Sequence, residues 1–316
     1  MVLGEQILRF YLKVSSLLFV FILYFFYIFF IKEISLKNDY FFIEKNQKNH
    51  KIIEQNLKVQ SVNLWFYNLA LKIILLNDIK IHFGKFIIRD ESSFIDLIKT
   101  ITTVSNYYEK ITIVEGWTKK DLNKVLKESF KTFNELKYTE IIADTYYFNY
   151  GSSFKEFKKK LKTNINKLKD IYVKSELSNK FSFEEILVIG SLLEKEGLDY
   201  NDKKKIYSVI INRLNIKMKL QIDATAIYAL TEGNNNLNRK LTYDDLKIKH
   251  NFNTYHIYGL PPAPISYVGL KTIELIFENY KTNYLFYFYN TLESKHIFSI
   301  NYKKHLNKLN EYRSKK

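Results

Sequence analysis

The segment "KFSFEEILVIGSLLEKEG", Lys180 to Gly197, predicts the central helix of the protein. Ser182 precedes an apolar run, and Glu185 follows it by three positions, which is the pattern of an N-terminal capping box. From Phe183 onward the residues are apolar on nearly every face of a helix, as in helices buried inside a domain. The sequence therefore predicts a core helix that ends near Gly197, where glycine commonly terminates helices.

The two glutamates at the end of this helix point to different sides. At 100° per residue, Glu194 lies on the side that carries Gly190 and Ser191, whereas Glu196 points roughly the other way. We expect the two small residues to leave a shallow groove beside Glu194. A carboxyl group on an apolar helix loses hydration, which raises its pKa as a general acid requires. The residues alone leave open the alternative that "EKE" is a solvated last turn.

Three similar helix starts lie upstream, and each follows a short run typical of a strand. In each, a serine or threonine precedes an acidic residue by three positions, again the capping pattern. The segments are "KFIIRDESSFIDLIKTI" with Ser93 and Asp96, "KITIVEGWTKKDLNKVL" with Thr118 and Asp121, and "YYFNYGSSFKEFKKKL" with Ser153 and Glu156. These strand–turn–helix units predict an α+β fold.

The N-terminal region predicts a membrane anchor. Eighteen uncharged residues, "VSSLLFVFILYFFYIFFI" at positions 14–31, lie between Lys13 and Lys32, and as a helix they reach roughly 27 Å, close to the thickness of a bilayer's hydrocarbon core. A cleaved signal peptide is the rival, but no small-x-small cleavage site follows the run. Arg9 and Lys13 favour a cytoplasmic tail at residues 1–13.

Composition excludes several classes of function. The chain has 316 residues, is 47% hydrophobic and carries a net charge of +16. The lysines are dispersed rather than gathered into a stripe, which predicts no nucleic-acid partner, while a basic face toward an anionic polymer or a membrane stays open. The absence of cysteine excludes disulfides, thiolate catalysis and cysteine-bound zinc. The six histidines, His50 among them, show no ligand spacing, so we expect neither a metal nor another cofactor.

The three prolines of the chain all lie in "YGLPPAPIS", Tyr258 to Ser266. Prolines fix the backbone and donate no hydrogen bond, so Pro261 and Pro262 are expected to form a rigid wall for an extended polymer. Polar side chains able to contact a sugar lie nearby in the sequence, although Asp223 could instead cap a helix and Asn253 could make a turn. These candidates are Ser191, Gln221, Asp223, Thr225, Tyr228, Asn253, Thr254 and Tyr255.

The order of several motifs resembles the MltG (YceG-like) endolytic murein transglycosylases. The motifs are "EGWT", "ADTY", "SLLEKEG", "INRL", "LQIDATAIYAL", "LTYDDL", "NTYHIYGLPPAPIS", "VGLKTIE" and "HIFS", which extend from about Lys80 to His305. This sequence departs from the family's pattern at Ala143, Ala224, Ala263 and Gly197. None of these departures removes an ionisable group.

The resemblance implies a membrane-anchored enzyme that cuts peptidoglycan glycan strands. The implied organisation is a transmembrane helix at 14–31, a tether and LysM-like membrane-proximal subdomain at 32–152, and a mixed α+β catalytic domain at 153–316 on the periplasmic side of the inner membrane. Glu194 aligns with the family's catalytic glutamate. Gln221, Asp223, Asn253, Thr254 and Tyr255 would orient the sugar, Tyr228 would form a wall, and penicillin-binding peptidoglycan synthases would be partners.

The resemblance implies one carboxyl group that acts twice, first as acid and then as base, and leaves a 1,6-anhydro-N-acetylmuramic acid end. Two alternatives stay open. A muramidase-type hydrolase would need a second carboxylate, for which Asp223 is the best candidate. An inactive scaffold would only bind glycan and partners.

Overall fold

The computed structural model describes residues 2–76, 79–233 and 237–316, while Met1 and the side chain of His50 lie outside this description. The chain forms two compact units. Unit 1 contains Met1–Glu109 and Tyr147–Ser152, and unit 2 contains Lys110–Tyr146 and Ser153–Lys316. This division differs from the boundary predicted after residue 152, because residues 110–146 belong to unit 2.

Unit 1 begins with a long apolar helix. Helix α1 (Val2–Phe26) continues into a π-helical turn (Tyr27–Ile31). Within the described residues, Arg9–Ile31 is the one helical stretch long and apolar enough to cross a membrane, and it contains the predicted span 14–31. Its last turn is covered by protein, since Ile28 and Phe29 are buried in the core of unit 1.

The rest of unit 1 is a small α+β arrangement. Along the chain come β1 (Phe41–Ile43), α2 (Asn49–Asn56), α3 (Ser61–Leu75), β2 (Gly84–Phe86) and α4 (Phe94–Ile101). The two strands pair antiparallel, with Phe41 opposite Phe86, and both phenylalanines are buried. The segment after the apolar helix, where the resemblance implies a tether, supplies the strand β1.

Strands β3 (Tyr108–Thr112) and β4 (Thr145–Asn149) pair with each other. Between them lies α5 (Lys119–Ser129), and α6 (Phe154–Val173) follows. The four predicted helix starts are confirmed, because each predicted serine or threonine caps its helix and the acidic residue three positions on completes the capping box. The predicted α+β class is confirmed as well.

Helix α7 (Phe183–Glu196) is the centre of unit 2. Its residues 186–193 are all buried, as predicted, and it packs against α8 (Tyr200–Asn215), α9 (Asp223–Thr231) and α10 (Leu270–Phe277). An antiparallel hairpin of β5 (Phe286–Asn290) and β6 (Lys295–Ser299) and the helix α11 (Tyr302–Ser314) complete the unit.

Candidate active site

Helix α7 ends with two carboxyl groups that have different surroundings. The side chain of Glu194 is 2% exposed and forms an ion pair with Lys203, whose Nζ lies 2.5 Å from Oε2. Its Oε1 accepts a hydrogen bond of 2.9 Å from the backbone N–H of Gly269. Lys203 also contacts the hydroxyl of Thr272 at 3.2 Å. Glu194 therefore links α7 to α8 and to the start of α10, and it is not part of a solvated last turn.

The groove expected beside Glu194 is filled by protein, so that prediction is wrong. A Cβ atom at Gly190 would lie 2.6 Å from Cγ1 of Val268. Ser191 is fully buried, and its hydroxyl accepts a hydrogen bond of 3.0 Å from the backbone N–H of Ile265. The two small residues instead allow the segment before α10 to pack closely on α7.

The "EGWT" segment supports the end of α7. Gly116 and Tyr267 are joined by a backbone hydrogen bond of 2.9 Å, and the ammonium of Lys195 donates to the carbonyl of Gly116 at 3.0 Å. Gly116 has a φ of +77°, a left-handed conformation that glycine adopts without strain. This turn thus fixes the last residues of α7 around the two glutamates.

Glu196 lies among polar groups from three other elements. The hydroxyl of Tyr287 on β5 donates to its Oε2 at 3.1 Å. The backbone N–H of Ala224 in the first turn of α9 also bonds to this carboxyl group, and the charges of Asp223 and His296 act on it. Free N–H groups at a helix N-terminus stabilise a negative charge. The cluster can therefore hold Glu196 in either protonation state.

Burial raises the pKa of the Glu196 carboxyl group above its usual value. The hydroxyl of Tyr287 opposes this by hydrogen bonding to the carboxylate, whereas the negative charge of Asp223 raises the pKa further. A protonated carboxyl group at a higher pH than usual is what general acid catalysis requires.

Asp223 and Tyr255 lie at the exposed edge of this cluster. The hydroxyl of Tyr255 donates to Oδ1 of Asp223 at 2.5 Å. Asp223, the first residue of α9, is exposed, and Tyr255 is half-buried. Burial and the bond to Asp223 raise the pKa of Tyr255, so its hydroxyl stays protonated and remains a donor.

A hydrogen-bonded histidine and aspartate flank the other side of the cluster. Nδ1 of His296 lies 2.8 Å from a carboxylate oxygen of Asp202, and both side chains are largely buried. The ring of His296 meets that of Tyr287 edge to face at 5.4 Å between centroids. No role was predicted from the sequence for Tyr287, His296 or Asp202. The "HIFS" motif begins at His296 and was therefore a signal for that residue.

Arg213 fixes the backbone on which the cluster depends. Its guanidinium, which is largely buried, donates to the carbonyl of Leu285 at 2.7 Å and to that of Leu220 at 2.6 Å. These carbonyls precede β5 and α9, the elements that carry Tyr287 and Asp223. Arg213 therefore holds both sides of the cluster to α8.

Three of the predicted sugar ligands are fully buried and use their polar groups inside the protein. The hydroxyls of Thr225 and Thr254 lie 2.8 Å apart, and that of Thr254 also accepts from a backbone N–H. The amide of Asn253 donates to two backbone carbonyls. These side chains connect the segment around the start of α9 to the loop that contains Asn253 and Thr254. Each uses its polar atoms inside the protein, so none of the three offers a free polar atom to a sugar. Gln221, which has a φ of +49°, is exposed.

The remaining predicted residues lie elsewhere in unit 2. Tyr228 packs against the ring of Phe252 at 4.7 Å. Pro261 and Pro262 line a groove of about 630 Å³ at the start of α7. The residues of α7 that line this groove are Glu184, Glu185 and Val188, and even Val188 is eight residues before Glu196, or about 12 Å along the helix. The proline wall therefore does not border the two glutamates.

The chain thus combines an N-terminal helix long and apolar enough to cross a membrane with an α+β unit in which a buried carboxyl group lies beside a tyrosine and an aspartate, groups capable of acid–base chemistry. The profile of the YceG-like family matches residues 41–311. The chain belongs to the YceG-like family, which confirms the resemblance found in the sequence.

Two curated relatives bear the name endolytic murein transglycosylase. The protein of Bacillus subtilis (strain 168) is 34% identical over 173 residues, which are 54% of this chain and 47% of the relative. The protein of Streptococcus pneumoniae (strain ATCC BAA-255 / R6) is 32% identical over 144 residues, or 45% of this chain and 26% of the relative. The matches thus span less than half of either relative's length.

A solved structure has a similar fold. A YceG-like protein from Listeria monocytogenes aligns with a TM-score of 0.52 over 87% of this chain and 100% of that chain. The sequence identity is 23%, so this likeness concerns the fold alone.

Proposed function

We propose that this protein is an endolytic lytic transglycosylase that cuts the bond between N-acetylmuramic acid and N-acetylglucosamine in peptidoglycan. The observation that carries the proposal is the carboxyl group of Glu196, which is desolvated and bonded to Tyr287 beside an exposed Asp223. Membership in the YceG-like family and the names of the two relatives support the substrate class.

In this proposal Glu196, and not Glu194, is the catalytic acid. Both carboxylate oxygens of Glu194 are occupied by Lys203 and Gly269. The side chain of Glu194 is also only 2% exposed, so it presents no open face to a glycosidic oxygen. Glu196 has no such cation among its hydrogen-bond partners in the described residues, and its pKa is raised. The prediction of Glu194 from the sequence is therefore replaced by its neighbour two positions on.

The reaction needs no water. Protonated Glu196 gives its proton to the bridging oxygen, the bond from that oxygen to C1 of the muramic acid breaks, and the N-acetylglucosamine leaves with a free hydroxyl. The Glu196 carboxylate then takes the proton of the C6 hydroxyl as O6 bonds to C1, which closes the 1,6-anhydro ring and restores the acid. Tyr287 and the N–H of Ala224 stabilise the carboxylate between the two steps.

Asp223 and Tyr255 hold the sugar in this scheme. Asp223 is exposed, so its carboxylate can accept hydrogen bonds from sugar hydroxyls and face the cation that develops at C1. Gln221, also exposed, is available for an acetamido group. Thr225, Asn253 and Thr254 position these residues through the loops that they connect, and they do not touch the glycan.

The position of Asp223 also favours a second candidate, a muramidase. A hydrolase needs a second carboxylate beside the acid to act as nucleophile or base, and Asp223 is close enough to Glu196 to affect its pKa. Such an enzyme would release reducing ends in place of anhydro ends.

Product analysis separates these functions. Purified protein is incubated with peptidoglycan, and the fragments are examined by mass spectrometry. We expect anhydro ends from the parent protein, and from Glu196→Gln a loss of at least about 10²-fold, as for removal of a general acid. Glu274→Gln, an exposed position on α10, is the matched control and should retain activity. Reducing ends would support the muramidase, and no cleavage would indicate a scaffold.

We propose further that α1 anchors the protein once in the inner membrane, with residues 1–13 in the cytoplasm and the catalytic unit on the periplasmic side. The strand–helix–helix–strand order from β1 to β2 supports a LysM-like subdomain next to the membrane. Endolytic cleavage there would end the growth of new strands, with penicillin-binding synthases as partners. Protease added to spheroplasts should digest the chain beyond Lys32, and its protection would contradict this topology.

A further inference from the structure

Helix α3 carries an apolar stripe that unit 1 does not cover. Val62, Trp65, Ile73 and Leu76 are 61%, 58%, 50% and 76% exposed, and Leu69 lies between them on the same side. At 100° per residue these five positions fall within about 80° of one another. The opposite side of α3 is buried in unit 1. A contiguous apolar patch exposed on one face of a helix commonly marks a site of contact with a membrane or another protein.

The stripe lies next to the proposed membrane helix. Phe66 of α3 contacts the rings of Phe21, Tyr24 and Phe25 on α1, with centroids 5.3, 5.7 and 6.2 Å apart. Trp65 stacks edge to face on Phe66 at 5.1 Å. The start of α3 is thus fixed beside the middle of the apolar run of α1.

The helical rise gives the depth of this contact. If Lys13 marks the cytoplasmic boundary of the hydrocarbon layer, Phe21 and Phe25 lie about 12 and 18 Å above it at 1.5 Å per residue. A hydrocarbon layer is about 30 Å thick. Phe21 and Phe25 therefore lie on either side of the midplane at about 15 Å, and the residues of α3 that touch them lie within the hydrocarbon layer, near its middle.

The polar groups of α3 agree with this depth. Asn63 is buried, and its Oδ1 accepts a hydrogen bond of 2.9 Å from the hydroxyl of Tyr24, as a polar pair inside a membrane must be satisfied. Lys72 is exposed beside the stripe, where a long side chain can extend its ammonium to the lipid headgroups.

We infer that the stripe of α3 is inserted into the hydrocarbon layer of the bilayer beside α1, so that unit 1 is held by two elements, one that crosses the membrane and one that lies in it. This inference rests on the proposed anchor. It fixes the orientation of unit 1 to the membrane surface, which a single spanning helix alone would leave free to rotate.

Tryptophan fluorescence of the full-length protein in phosphatidylcholine vesicles tests the inference. The chain has two tryptophans, Trp65 and Trp117, so Trp117→Phe leaves Trp65 as the single reporter. We expect blue-shifted emission that is quenched by lipids brominated on their acyl chains and resistant to iodide in the water. Trp65→Phe, which leaves Trp117 in unit 2, should show no quenching by brominated lipid.

Charged substitutions provide the matched comparison. Val62→Asp with Ile73→Asp should shift the emission of Trp65 to the red and expose it to iodide. Val173→Asp, at a position of α6 that is 69% exposed, should change neither signal.

The other outcomes are distinct. Iodide quenching of Trp65 in protein that floats with the vesicles would overturn the inference and leave the anchor intact. Protection from both quenchers would overturn it as well, because a protein partner or a second copy would then cover the stripe. Protein that fails to float would contradict the anchor itself.

Discussion

The ion pair between Glu194 and Lys203 allows a test that separates a role of Glu194 in stability from a role in catalysis. Glu194→Gln keeps an acceptor for the backbone N–H of Gly269 but leaves the Lys203 ammonium without its counter-charge. Removal of one partner of a buried ion pair costs about 3–5 kcal/mol. Lys203 is 18% exposed and keeps its contact with the hydroxyl of Thr272, so we expect the lower end, about 3 kcal/mol of unfolding free energy.

The measurement is thermal unfolding combined with turnover. Unit 2 has about 200 residues, and in domains of this size 1 kcal/mol shifts the Tm by about 2–4 °C. Glu194→Gln should therefore lower the Tm of unit 2 by about 6–12 °C. Release of anhydro ends, measured well below the transition, should stay within a few-fold of the parent value.

A double-mutant cycle supplies the control. Lys203→Gln should be destabilising as well, because it leaves the carboxylate buried without a partner. The double variant Glu194→Gln, Lys203→Gln contains no unpaired charge, so it should be less destabilised than the sum of the two single changes. A Glu194→Gln protein that has the parental Tm and no turnover would refute the reasoning, and Glu194 would then be the catalytic acid, as the sequence first indicated.

Tyr287→Phe removes a hydroxyl that stabilises the Glu196 carboxylate and should raise the pKa of that group further. Because a general acid acts in its protonated form, the fall of kcat/KM with rising pH should move to higher pH, as a pH–rate profile would show. Gly197→Ala places a Cβ atom 2.2 Å from Cγ of Lys203; it should displace that side chain and lower the Tm, and its effect should be less than additive with that of Lys203→Gln, because both changes disturb the ion pair with Glu194. Thr254→Val leaves a buried backbone N–H without its acceptor, and urea unfolding should show a loss of about 1–3 kcal/mol.

Each of these three predictions has an outcome that would contradict it. An unchanged or lower pH for the falling limb in Tyr287→Phe would mean that the titrating group is not Glu196. Additive effects of Gly197→Ala and Lys203→Gln would mean that the glycine acts independently of the ion pair. Parental stability of Thr254→Val would show that the two loops do not depend on its hydroxyl.

Local features of the fold could be predicted from the sequence because their causes are local. A capping box involves residues three positions apart, so Ser182 and Glu185 were enough to place the start of α7. The apolar run after these two residues was enough to predict that α7 is buried. The same holds for the upstream helix starts, each of which is stabilised by its own first turn.

The assignment of the acid depended on contacts that are distant in the chain. The helical wheel correctly placed Glu194 and Glu196 on different sides, but it could not tell which side faces a packed segment. Val268 and Gly269 fill the side of Glu194, whereas Tyr287, which is 91 residues away from Glu196, bonds to the other carboxyl group. Small residues predicted a groove, and here they serve close packing instead.

The placement of the polar residues could not be predicted from the sequence for a related reason. Thr225, Asn253 and Thr254 were expected to bind sugar because they are polar and lie outside the clearest helical patterns. In the structure they satisfy backbone groups of two buried loops. Polarity in a sequence shows that a hydrogen-bond partner is needed, and it does not show whether that partner is a ligand or the backbone.

The separate tasks of two glutamates only two positions apart on α7 have a genetic consequence. A screen for loss of function would recover changes at both positions, yet the alleles should differ in dominance. Glu196→Gln protein would stay folded and occupy glycan strands that it cannot cut, so it should interfere with a normal copy in the same cell. Glu194→Gln protein would be depleted by unfolding, so this allele should be recessive. Overexpression should restore function to Glu194→Gln and not to Glu196→Gln.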